Sequence, residues 1–277
     1  MFKKAAVIGH PIAHSLSPKL HNFWLSKYSI AGKYEKIDVA IDKLEDFLLN
    51  LQVNGFSGIN ITIPHKENAY KILSEIAEIS PIAQKIGAVN TVYFKDGKLA
   101  ATNTDGYGFL QSLQQQINLD DLAKKRVLLI GAGGAARSIA ASLTEKSVKS
   151  LTIANRTQAR AVVLNEQLKL SAKIINFTDI DDYIADIDIL INTTSLGMVG
   201  KAELLINLDK LPLNSVVADI IYKPRFTKLL TAAKQRGNKI VEGIDMLIYQ
   251  AVPGFQLWFG QQPKIGDEER QLLLGIS

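Results

Sequence analysis

The sequence contains no cysteine, and this absence excludes disulfide bonds, thiolate metal sites and iron–sulfur clusters. It also lacks any uninterrupted apolar run of about 18 residues, the length that a membrane-spanning helix requires. The apolar stretch after Lys3-Lys4 is too short for a secretory signal peptide. We therefore expect a globular protein with no membrane partner and a reducing, cytoplasmic location.

Neither sign of charge is in large excess. The chain has 277 residues, with 32 Lys and Arg against 27 Asp and Glu, which gives a formal net charge of +5. The basic residues are scattered, whereas nucleic-acid binding needs a basic stripe or an aromatic platform. We expect no nucleic-acid partner, and the modest positive excess suits a small anionic ligand.

Short β-rich runs alternate with helical stretches along the whole chain, which is typical of an α/β fold. After Asp105, apolar strands alternate with helices, which indicates a parallel sheet covered on both faces. A change in sequence texture near Gly106 indicates a domain boundary. We predict strands over 4–9, 58–63, 88–94, 98–102, 126–130, 150–155, 186–192 and 215–221. We predict helices over 18–28, 67–79, 106–119, 131–144 and 157–168.

A glycine-rich turn follows the predicted strand 126–130. Gly131-x-Gly133-x-x-Ala136 stands between this strand and the start of a helix, as the dinucleotide fingerprint requires. Glycines let the backbone approach a pyrophosphate, and a helix N-terminus supplies amide donors. Such a turn can also be purely structural, but the agreement of strand, turn, helix and next strand favours a nucleotide site.

The end of the next strand distinguishes two cofactors. An NAD site usually has an acidic residue there, which holds the ribose 2′-hydroxyl. This chain has Asn155-Arg156-Thr157, followed by Arg160. Arginine binds phosphate with two parallel hydrogen bonds. The alternative is two surface arginines at a helix start, but we favour a 2′-phosphate site and therefore NADP.

Two further strand ends carry polar loops. The strand 186–192 leads into Thr194 and Ser195, and the strand 215–221 leads into Tyr222. Ligands of open parallel sheets lie beyond the carboxyl ends of the strands. Both loops are candidate walls for the nicotinamide end of the cofactor, although each by itself could be an ordinary polar loop.

The first half offers a candidate proton carrier. Asn60 and Thr62 fall on one face of a predicted strand, Lys66 follows its end, and Asp105 lies at the domain junction. Oxidation of an alcohol to a ketone needs a group that accepts the hydroxyl proton, and a lysine amine can do this. Taken alone, Lys66 is more simply read as a surface lysine.

Three of the four histidines lie in the stretch 9–22, which reads GHPIAHSLSPKLHN. No cysteine or group of carboxylates completes a metal-ligand set with His10, His14 and His21, so we expect no metal site. No base accompanies Ser15 or Ser17, so a nucleophilic serine is not expected either. Ser17, directly before Pro18, is also a candidate helix cap.

The chain resembles the shikimate dehydrogenases over nearly its whole length. The motifs occur in order at 9–22, 60–66, 87–92, 103–105, 131–137, 155–157, 192–198, 219–222 and 243–251. The resemblance implies reversible NADPH-dependent reduction of 3-dehydroshikimate to shikimate, in chorismate and aromatic amino acid biosynthesis. It also implies an N-terminal substrate domain over 1–105, completed by C-terminal helices over 244–277, a Rossmann-type NADP domain over 106–243, and a cleft between the two domains.

The resemblance also implies the site residues. The catalytic pair would be Lys66, as proton donor and acceptor, with Asp105. The carboxylate of shikimate would bind Ser15 and Ser17. Its ring and hydroxyls would be lined by Asn60, Thr62, Asn90, Asp105, Tyr222 and Gln250. NADP would contact Gly131, Ala132, Gly133, Gly134, Ala135, Ala136, Asn155, Arg156, Thr157, Arg160, Thr194, Ser195, Ile220 and Gly243.

The departures from the family pattern are small. Ala136 stands at the third fingerprint position in place of glycine, and the segment 199–214 fits no specific pattern. Two other functions are considered: a quinate/shikimate dehydrogenase of broader substrate and cofactor use, and a nucleotide-sensing module that has lost its chemistry. The retained Lys66 and Asp105 argue against the second. The sequence leaves open whether the protein is a monomer or a homodimer.

Overall fold

The computed structural model describes residues 2–275, and the chain folds as two compact units. The first unit contains the residues up to Thr104 and those from Gln250 onward, and the second unit contains Asp105–Tyr249. The domain ranges predicted from the sequence begin at residue 1 and end at residue 277. Residues 1, 276 and 277 of those ranges lie outside the described part of the chain.

The first unit is built on a six-stranded mixed sheet with the order β2-β1-β3-β5-β6-β4. Its strands are β1 (Lys3–Gly9), β2 (Gly32–Asp38), β3 (Phe56–Ile61), β4 (Glu78–Ile79), β5 (Thr91–Lys95) and β6 (Lys98–Thr102). β1 pairs in parallel with β2 and β3, while β3, β5 and β6 are antiparallel. The predicted β5–β6 hairpin is confirmed: Asp96 and Gly97 both have positive φ, as a two-residue hairpin turn of this kind requires.

Six helices of the described chain contribute to the first unit. They are α1 (Ser17–Lys27), α2 (Leu44–Leu49), α3 (Lys66–Leu73), α4 (Pro81–Ile86), the part of α10 (Gly243–Phe259) from Gln250 onward, and α11 (Asp267–Leu274). Trp258 of α10 donates its indole N–H to the Val92 carbonyl of β5 at 2.8 Å. Trp24 of α1 donates to the buried Glu269 carboxylate of α11 at 3.1 Å. These two hydrogen bonds attach the C-terminal helices to the sheet and to α1, although the bonded residues are far apart in sequence.

The second unit contains a six-stranded parallel sheet with the order β12-β11-β10-β7-β8-β9. The strands are β7 (Arg126–Ile130), β8 (Ser150–Asn155), β9 (Lys173–Asn176), β10 (Ile189–Asn192), β11 (Val216–Asp219) and β12 (Lys239–Val241). The helices are α5 (Asp105–Gln114), α6 (Gly134–Glu145), α7 (Gln158–Leu168), α8 (Ile180–Tyr183) and α9 (Lys228–Arg236). Read from β9, this is the 3-2-1-4-5-6 order of the doubly wound dinucleotide fold, so the predicted Rossmann-type fold is confirmed.

The eight strands predicted from the sequence are all present, and the four that the prediction missed are the edge strands of the two sheets. They are β2 and β4 in the first sheet and β9 and β12 in the second. The central strand β10 is buried along its whole length, whereas β2 alternates exposed, intermediate and buried positions and contains charged residues. Edge strands are commonly short and charged, since this prevents pairing with other chains, and their apolar signal is weak.

One predicted helix was wrong in its second half. The helix predicted over 67–79 ends at Leu73, and Glu78–Ile79 instead pair with Ala100 and Ala101 of β6. Pro81 disfavours helical geometry at the residue before it, which separates β4 from α4 but does not account for the earlier end of α3 at Leu73. Ser80 accordingly has extended φ and ψ, and its hydroxyl accepts the Ala83 N–H as the N-cap of α4.

Several predicted boundaries shift by a few residues. The strand predicted over 88–94 begins at Thr91, and the strand predicted over 58–63 ends at Ile61, which places Thr62 just beyond β3. The helix expected from Gly131 begins at Gly134, and the helix expected to reach residue 119 ends at Gln114. Among the described residues, no helix is both long enough and apolar enough to cross a membrane.

The first unit encloses a histidine among aromatic side chains. His21 of α1 is 0% exposed, and its ring stacks on Tyr34 with a centroid separation of 3.9 Å and an interplanar angle of 7°. The rings of Trp24, Phe255 and Trp258 surround the pair. Within residues 2–275, neither nitrogen of His21 has a hydrogen-bond partner. Burial lowers the pKa of His21 to about 3, so the ring is neutral and serves as a packing group.

His21→Phe is expected to reduce acid sensitivity. The pKa of the buried histidine lies below its ordinary value of 6.5, so its contribution to stability is present above pH 6.5 and is lost as the pH falls toward 3. Between pH 7 and pH 4 the unmodified chain should lose roughly 3 kcal/mol of unfolding free energy through this histidine. Phenylalanine does not titrate, so His21→Phe should not show this loss. Urea unfolding at pH 7 and pH 4 measures the effect. His14→Phe, at an exposed position, is the control, and parallel pH dependence in all three proteins would contradict the prediction.

Candidate functional site

Polar side chains gather at the strand ends of the first unit. The loop that follows β1 is attached to the loop that follows β3, since the His10 N–H donates to the Ile63 carbonyl at 3.1 Å. Gly9 allows this approach, because a Cβ there would lie 2.6 Å from the Thr62 methyl group. The serine loop and the Thr62 loop therefore lie side by side.

Ser15 and Ser17 stand at the entrance to α1. Helix α1 begins at Ser17, and Ser15 Oγ accepts the Ser17 N–H at 3.3 Å. The cap predicted for Ser17 is wrong, because Leu16 occupies the N-cap position and the hydroxyl that satisfies a free amide belongs to Ser15. This arrangement sets the two serines on the same tight turn.

Asn60 is the penultimate residue of β3 and is 5% exposed. Its Nδ2 donates to the Asn90 carbonyl and to Thr91 Oγ1, both at 3.1 Å. Its Oδ1 accepts the hydroxyl of Tyr34 at 2.7 Å. Asn60 thus joins three strands, β2, β3 and β5, at the edge of the predicted site.

Asn90 forms hydrogen bonds with Thr104 and Gln250, which are distant from it in sequence. Its Oδ1 accepts the Thr104 N–H at 2.9 Å, and its Nδ2 donates to Thr104 Oγ1 at 3.0 Å. Nδ2 also lies 3.5 Å from Gln250 Oε1, and Thr104 Oγ1 donates to the Gln250 carbonyl at 2.9 Å. The structure therefore brings together Asn60, Asn90 and Gln250, which are predicted site residues from three distant parts of the chain.

Lys66 is the first residue of α3 and is half-buried. Its carbonyl accepts the Val89 N–H at 3.0 Å, which fixes the start of α3 beside Asn90. On the other side, His65 donates its ring Nε2 to the Val39 carbonyl at 2.7 Å. Asp105 is the first residue of the second unit, follows Thr104 directly, and is 4% exposed.

The glycine-rich turn of the second unit has the geometry of a nucleotide loop. Gly131 has φ of +114°, and a Cβ there would lie 2.6 Å from Thr193 Oγ1, so both conformation and space require glycine. Helix α6 begins at Gly134, and a Cβ at its N-cap Gly133 would meet nothing within 4 Å. Ala132, within the turn, and Ala136, in the first turn of α6, are both buried. Gly134 and Ala135 complete its first helical turn.

The residues predicted to recognise the 2′-phosphate lie between β8 and α7. Asn155 ends β8 and donates from Nδ2 to the Thr157 carbonyl at 2.8 Å, which closes the loop. Arg156 and Arg160 are exposed, and in the described part of the chain neither guanidinium forms a salt bridge. Two unneutralised positive charges thus stand at the helix start, where the helix dipole also favours an anion.

A buried polar cluster fixes the loops that follow β10 and β11. Asn192 Nδ2 donates to Asp219 Oδ1 at 3.0 Å, and Asn192 Oδ1 accepts from Thr194 N–H at 3.0 Å. Asp219 also accepts the Ile221 N–H at 3.0 Å and the Thr227 hydroxyl at 2.7 Å. Burial raises the pKa of Asp219 from 3.8 to about 6, while these donors oppose the rise.

The remaining predicted cofactor residues border this cluster. Ile220 donates its N–H to the Asn192 carbonyl at 3.2 Å, and Ser195 accepts the Met198 N–H on its carbonyl at 3.2 Å. Gly243 begins α10, and a Cβ there would lie 2.4 Å from the Ile221 carbonyl oxygen. Tyr222, which follows this loop, is half-buried. These residues belong to one loop cluster at the carboxyl ends of β10, β11 and β12.

Sequence reasoning missed Tyr34 and Thr227, and it gave Thr104 no role. Tyr34 was hidden because its edge strand was not predicted. Thr227 could have been found, since a threonine before a helical stretch is a standard N-cap signal and it caps α9 by accepting the Leu230 N–H. Within residues 2–275, no group of three His, Asp or Glu side chains is close enough to hold a metal ion.

Three family models match the chain in succession. The shikimate dehydrogenase substrate binding domain matches residues 7–92, and the shikimate / quinate 5-dehydrogenase model matches residues 112–220. The shikimate 5′-dehydrogenase C-terminal domain matches residues 243–272. The chain belongs to the shikimate dehydrogenase family. The resemblance inferred from the motifs is therefore confirmed.

Members of the family match this chain over almost its whole length. The shikimate dehydrogenase (NADP(+)) of Mesorhizobium japonicum is 43% identical, covering 98% of this chain and 96% of that protein. Shikimate 5-dehydrogenase from Thermus thermophilus, solved with NADP(H) and shikimate, is 33% identical with a TM-score of 0.86, covering 99% and 100% of the two chains. Quinate dehydrogenase from Corynebacterium glutamicum, solved with NAD, is 29% identical with a TM-score of 0.87 over 99% and 100%.

Asp219→Asn is expected to change the pH dependence of stability. Because burial raises the pKa of Asp219 from 3.8 to about 6, its contribution to stability is fully present below pH 3.8 and is lost as the pH rises through 6. The amide variant lacks this loss, so between pH 4 and pH 7 its unfolding free energy should rise by on the order of 3 kcal/mol relative to the unmodified chain.

Denaturant unfolding at several pH values measures the effect. Asp182→Asn, at an exposed position, is the matched control and should leave the pH dependence unchanged. If Asp219→Asn and Asp182→Asn give the same pH profile, Asp219 is not held at a raised pKa.

Proposed function

We propose that the protein is an NADP-dependent shikimate dehydrogenase, which reversibly reduces 3-dehydroshikimate to shikimate in chorismate and aromatic amino acid biosynthesis. The observation that carries the proposal is the match of 43% identity to an NADP(+)-dependent shikimate dehydrogenase over 98% of the chain. The arrangement of Lys66, Asn60 and Asn90 in the first unit supports it.

We assign the first unit to the substrate. Ser15 and Ser17 would bind its carboxylate, because two hydroxyl donors on one tight turn match two carboxylate oxygens. Asn60, Thr62, Asn90 and Gln250 would line its ring and hydroxyls, together with Tyr222 of the second unit. The support is geometric: Asn60, Asn90 and Gln250 are connected through hydrogen bonds. The proposed substrate domain comprises 1–105 and 244–277.

We assign the second unit, with proposed bounds 106–243, to NADP. The Gly131 turn and the N-terminus of α6 fit a pyrophosphate, since Gly131 lacks a Cβ where one would clash and α6 presents free amides. Asn155, Arg156, Thr157 and Arg160 would hold the 2′-phosphate. Thr194, Ser195, Ile220 and Gly243 would border the nicotinamide. When bound, NADPH supplies the hydride for the reduction.

Lys66 would carry the proton. Reduction of the keto group produces an alkoxide oxygen, and the Lys66 ammonium donates a proton to it; in the reverse direction the amine accepts the hydroxyl proton. Asp105 would be its acidic partner, which orients the amine and binds a second hydroxyl. Thr104, held by Asn90, fixes the chain immediately before Asp105.

A quinate/shikimate dehydrogenase that uses NAD is the second candidate, and the likeness to the quinate dehydrogenase solved with NAD is the observation in its favour. The two exposed arginines after β8 oppose it, because an NAD site would place an acidic residue there. We also propose a cytoplasmic location, since a charged substrate and cofactor do not cross an apolar membrane unaided. The enzyme would act as a monomer or a homodimer.

Lys66→Ala tests the proposed chemistry. With shikimate and NADP, kcat should fall by roughly 10²- to 10⁴-fold, the usual contribution of a positioned acid or base, while the affinity for NADP stays nearly unchanged. Steady-state rates of NADP reduction, with quinate as the comparison substrate, provide the measurement.

Lys71→Ala is the matched control, because Lys71 lies exposed on the same helix α3. It should keep full activity. A Lys66→Ala enzyme with unchanged kcat would show that Lys66 is not the proton carrier, and a parent enzyme that prefers quinate would support the second candidate.

Arg156→Ala tests the cofactor assignment. Loss of a charge-assisted hydrogen bond to the 2′-phosphate should raise KM for NADP by about 10- to 100-fold and should leave KM for NAD nearly constant. Lys149→Ala removes a positive charge at the opposite, exposed end of β8 and is the control. Equal changes in KM for both cofactors would make Arg156 an ordinary surface residue.

A further inference from the structure

The hydrogen bonds of Asn60 leave only its side-chain oxygen able to bind a ligand. A side-chain amide has two N–H donors and two lone pairs on its oxygen. Both donors are engaged, one by the Asn90 carbonyl and one by Thr91 Oγ1. One lone pair of Oδ1 accepts the Tyr34 hydroxyl. Among residues 2–275 the second lone pair of Oδ1 has no partner, so Asn60 can accept one more hydrogen bond but has no donor to offer.

The orientation of this amide is fixed from two sides. The Asn90 carbonyl can only accept, and the Thr91 hydroxyl already donates to Asn90 Oδ1 at 2.8 Å, so both need the amide nitrogen of Asn60. On the opposite side, the Tyr34 hydroxyl donates to Oδ1. Burial raises the pKa of Tyr34 well above its ordinary value, which keeps this hydroxyl protonated as a donor.

Tyr34 is itself held by the two residues that end the histidine-rich stretch 9–22. Asn22 Oδ1 accepts the Tyr34 N–H at 3.0 Å, and Asn22 Nδ2 donates to the Tyr34 carbonyl at 2.7 Å. His21 stacks on the face of the phenol ring, and Trp258 lies 5.8 Å from its centroid. The backbone and the ring plane of Tyr34 are therefore both determined, and with them the direction of its hydroxyl.

We propose that Tyr34 is a positioning residue for substrate recognition, which fixes Asn60 so that its Oδ1 accepts a hydrogen bond from one ring hydroxyl of the substrate. His21 and Asn22 act through Tyr34. The proposal rests on the proposed function, in which Asn60 faces the substrate. The hydroxyl is one that is not oxidised, since Lys66 serves the reacting oxygen. His21 and Asn22 would then act in substrate recognition rather than in metal binding or nucleophilic chemistry.

Tyr34→Phe removes the hydroxyl and keeps the stacked ring. KM for shikimate should rise by about 5- to 20-fold, the effect of losing one buried hydrogen bond, while kcat falls less than threefold and KM for NADP is unchanged. Tyr28→Phe is the matched control, because the Tyr28 hydroxyl accepts the Lys264 N–H in the same unit. It should leave all three constants unchanged.

Substrate analogues separate positioning from a general loss of structure. Analogues of shikimate that lack one of the two non-reacting ring hydroxyls are compared in both enzymes. In the parent enzyme, one analogue should have a lower kcat/KM than shikimate, because it lacks the hydroxyl that donates to Asn60. In Tyr34→Phe, the ratio of kcat/KM for shikimate to kcat/KM for that analogue should be at least threefold smaller. An unchanged KM for shikimate, or an unchanged penalty for both analogues, would overturn the proposal.

A second variant keeps the test decisive if Tyr34→Phe does not fold. Asn22 is exposed, and Asn22→Ala releases the backbone of Tyr34 without emptying the core. It should raise KM for shikimate about 2- to 5-fold and lower the melting temperature by a few degrees without loss of the fold, and an unchanged KM would overturn the proposal. A parent enzyme with no shikimate activity would instead refute the proposed function, so the two failures are distinguishable.

Discussion

The structure of both candidate sites depends on one constraint: a buried side-chain amide must find hydrogen bonds for all its polar atoms. An unsatisfied buried donor or acceptor costs about 1–3 kcal/mol. Asn60, Asn90 and Asn192 are at most 5% exposed, and each stands at or beside a strand end. Each satisfies the constraint by joining loops that are distant in sequence. Asn90 connects to Thr104 and Gln250, and Asn192 connects the loop after β10 to Asp219. The requirement for partners thus fixes the loops that carry the proposed site residues.

The parts of the fold that were predictable are those whose signal is local. Strands β7 and β8 were predicted with their observed bounds, because their apolar runs end abruptly at a glycine turn and at Asn155. The nucleotide turn was predictable for the same reason, since its glycines, strand and helix are adjacent in sequence. All eight predicted strands lie in the interior of a sheet, where neighbouring strands on both sides give a strand a stronger apolar signal than an edge strand has.

The rest could not be predicted because it depends on pairings across long stretches of sequence. The edge strands carry weak apolar patterns, since one side of each lies toward solvent, and β4 is only two residues long. The bond from Tyr34 to Asn60 spans 26 residues, and that from Trp258 to Val92 spans 166. No periodicity in the sequence encodes such a partner. The pattern of the sequence singled out the glycine turn, Arg156, Arg160 and Lys66, and the family resemblance supplied most of the remaining site residues, whereas their hydrogen-bond partners came only from the structure.

The neutral character of the first unit's polar network has a consequence for selectivity. Asn60, Asn90 and Tyr34 carry no charge, and their hydrogen bonds are made mainly to one another and to the backbone. In the proposed site the charged groups are Lys66 and its proposed acidic partner Asp105, whereas the side chains that would meet the non-reacting hydroxyls are neutral. In the proposed site, recognition of the non-reacting hydroxyls would depend on the direction of neutral hydrogen-bonding groups rather than on net charge. A substrate with a misplaced hydroxyl leaves a buried acceptor unpaired, and that penalty discriminates more strongly than an added contact.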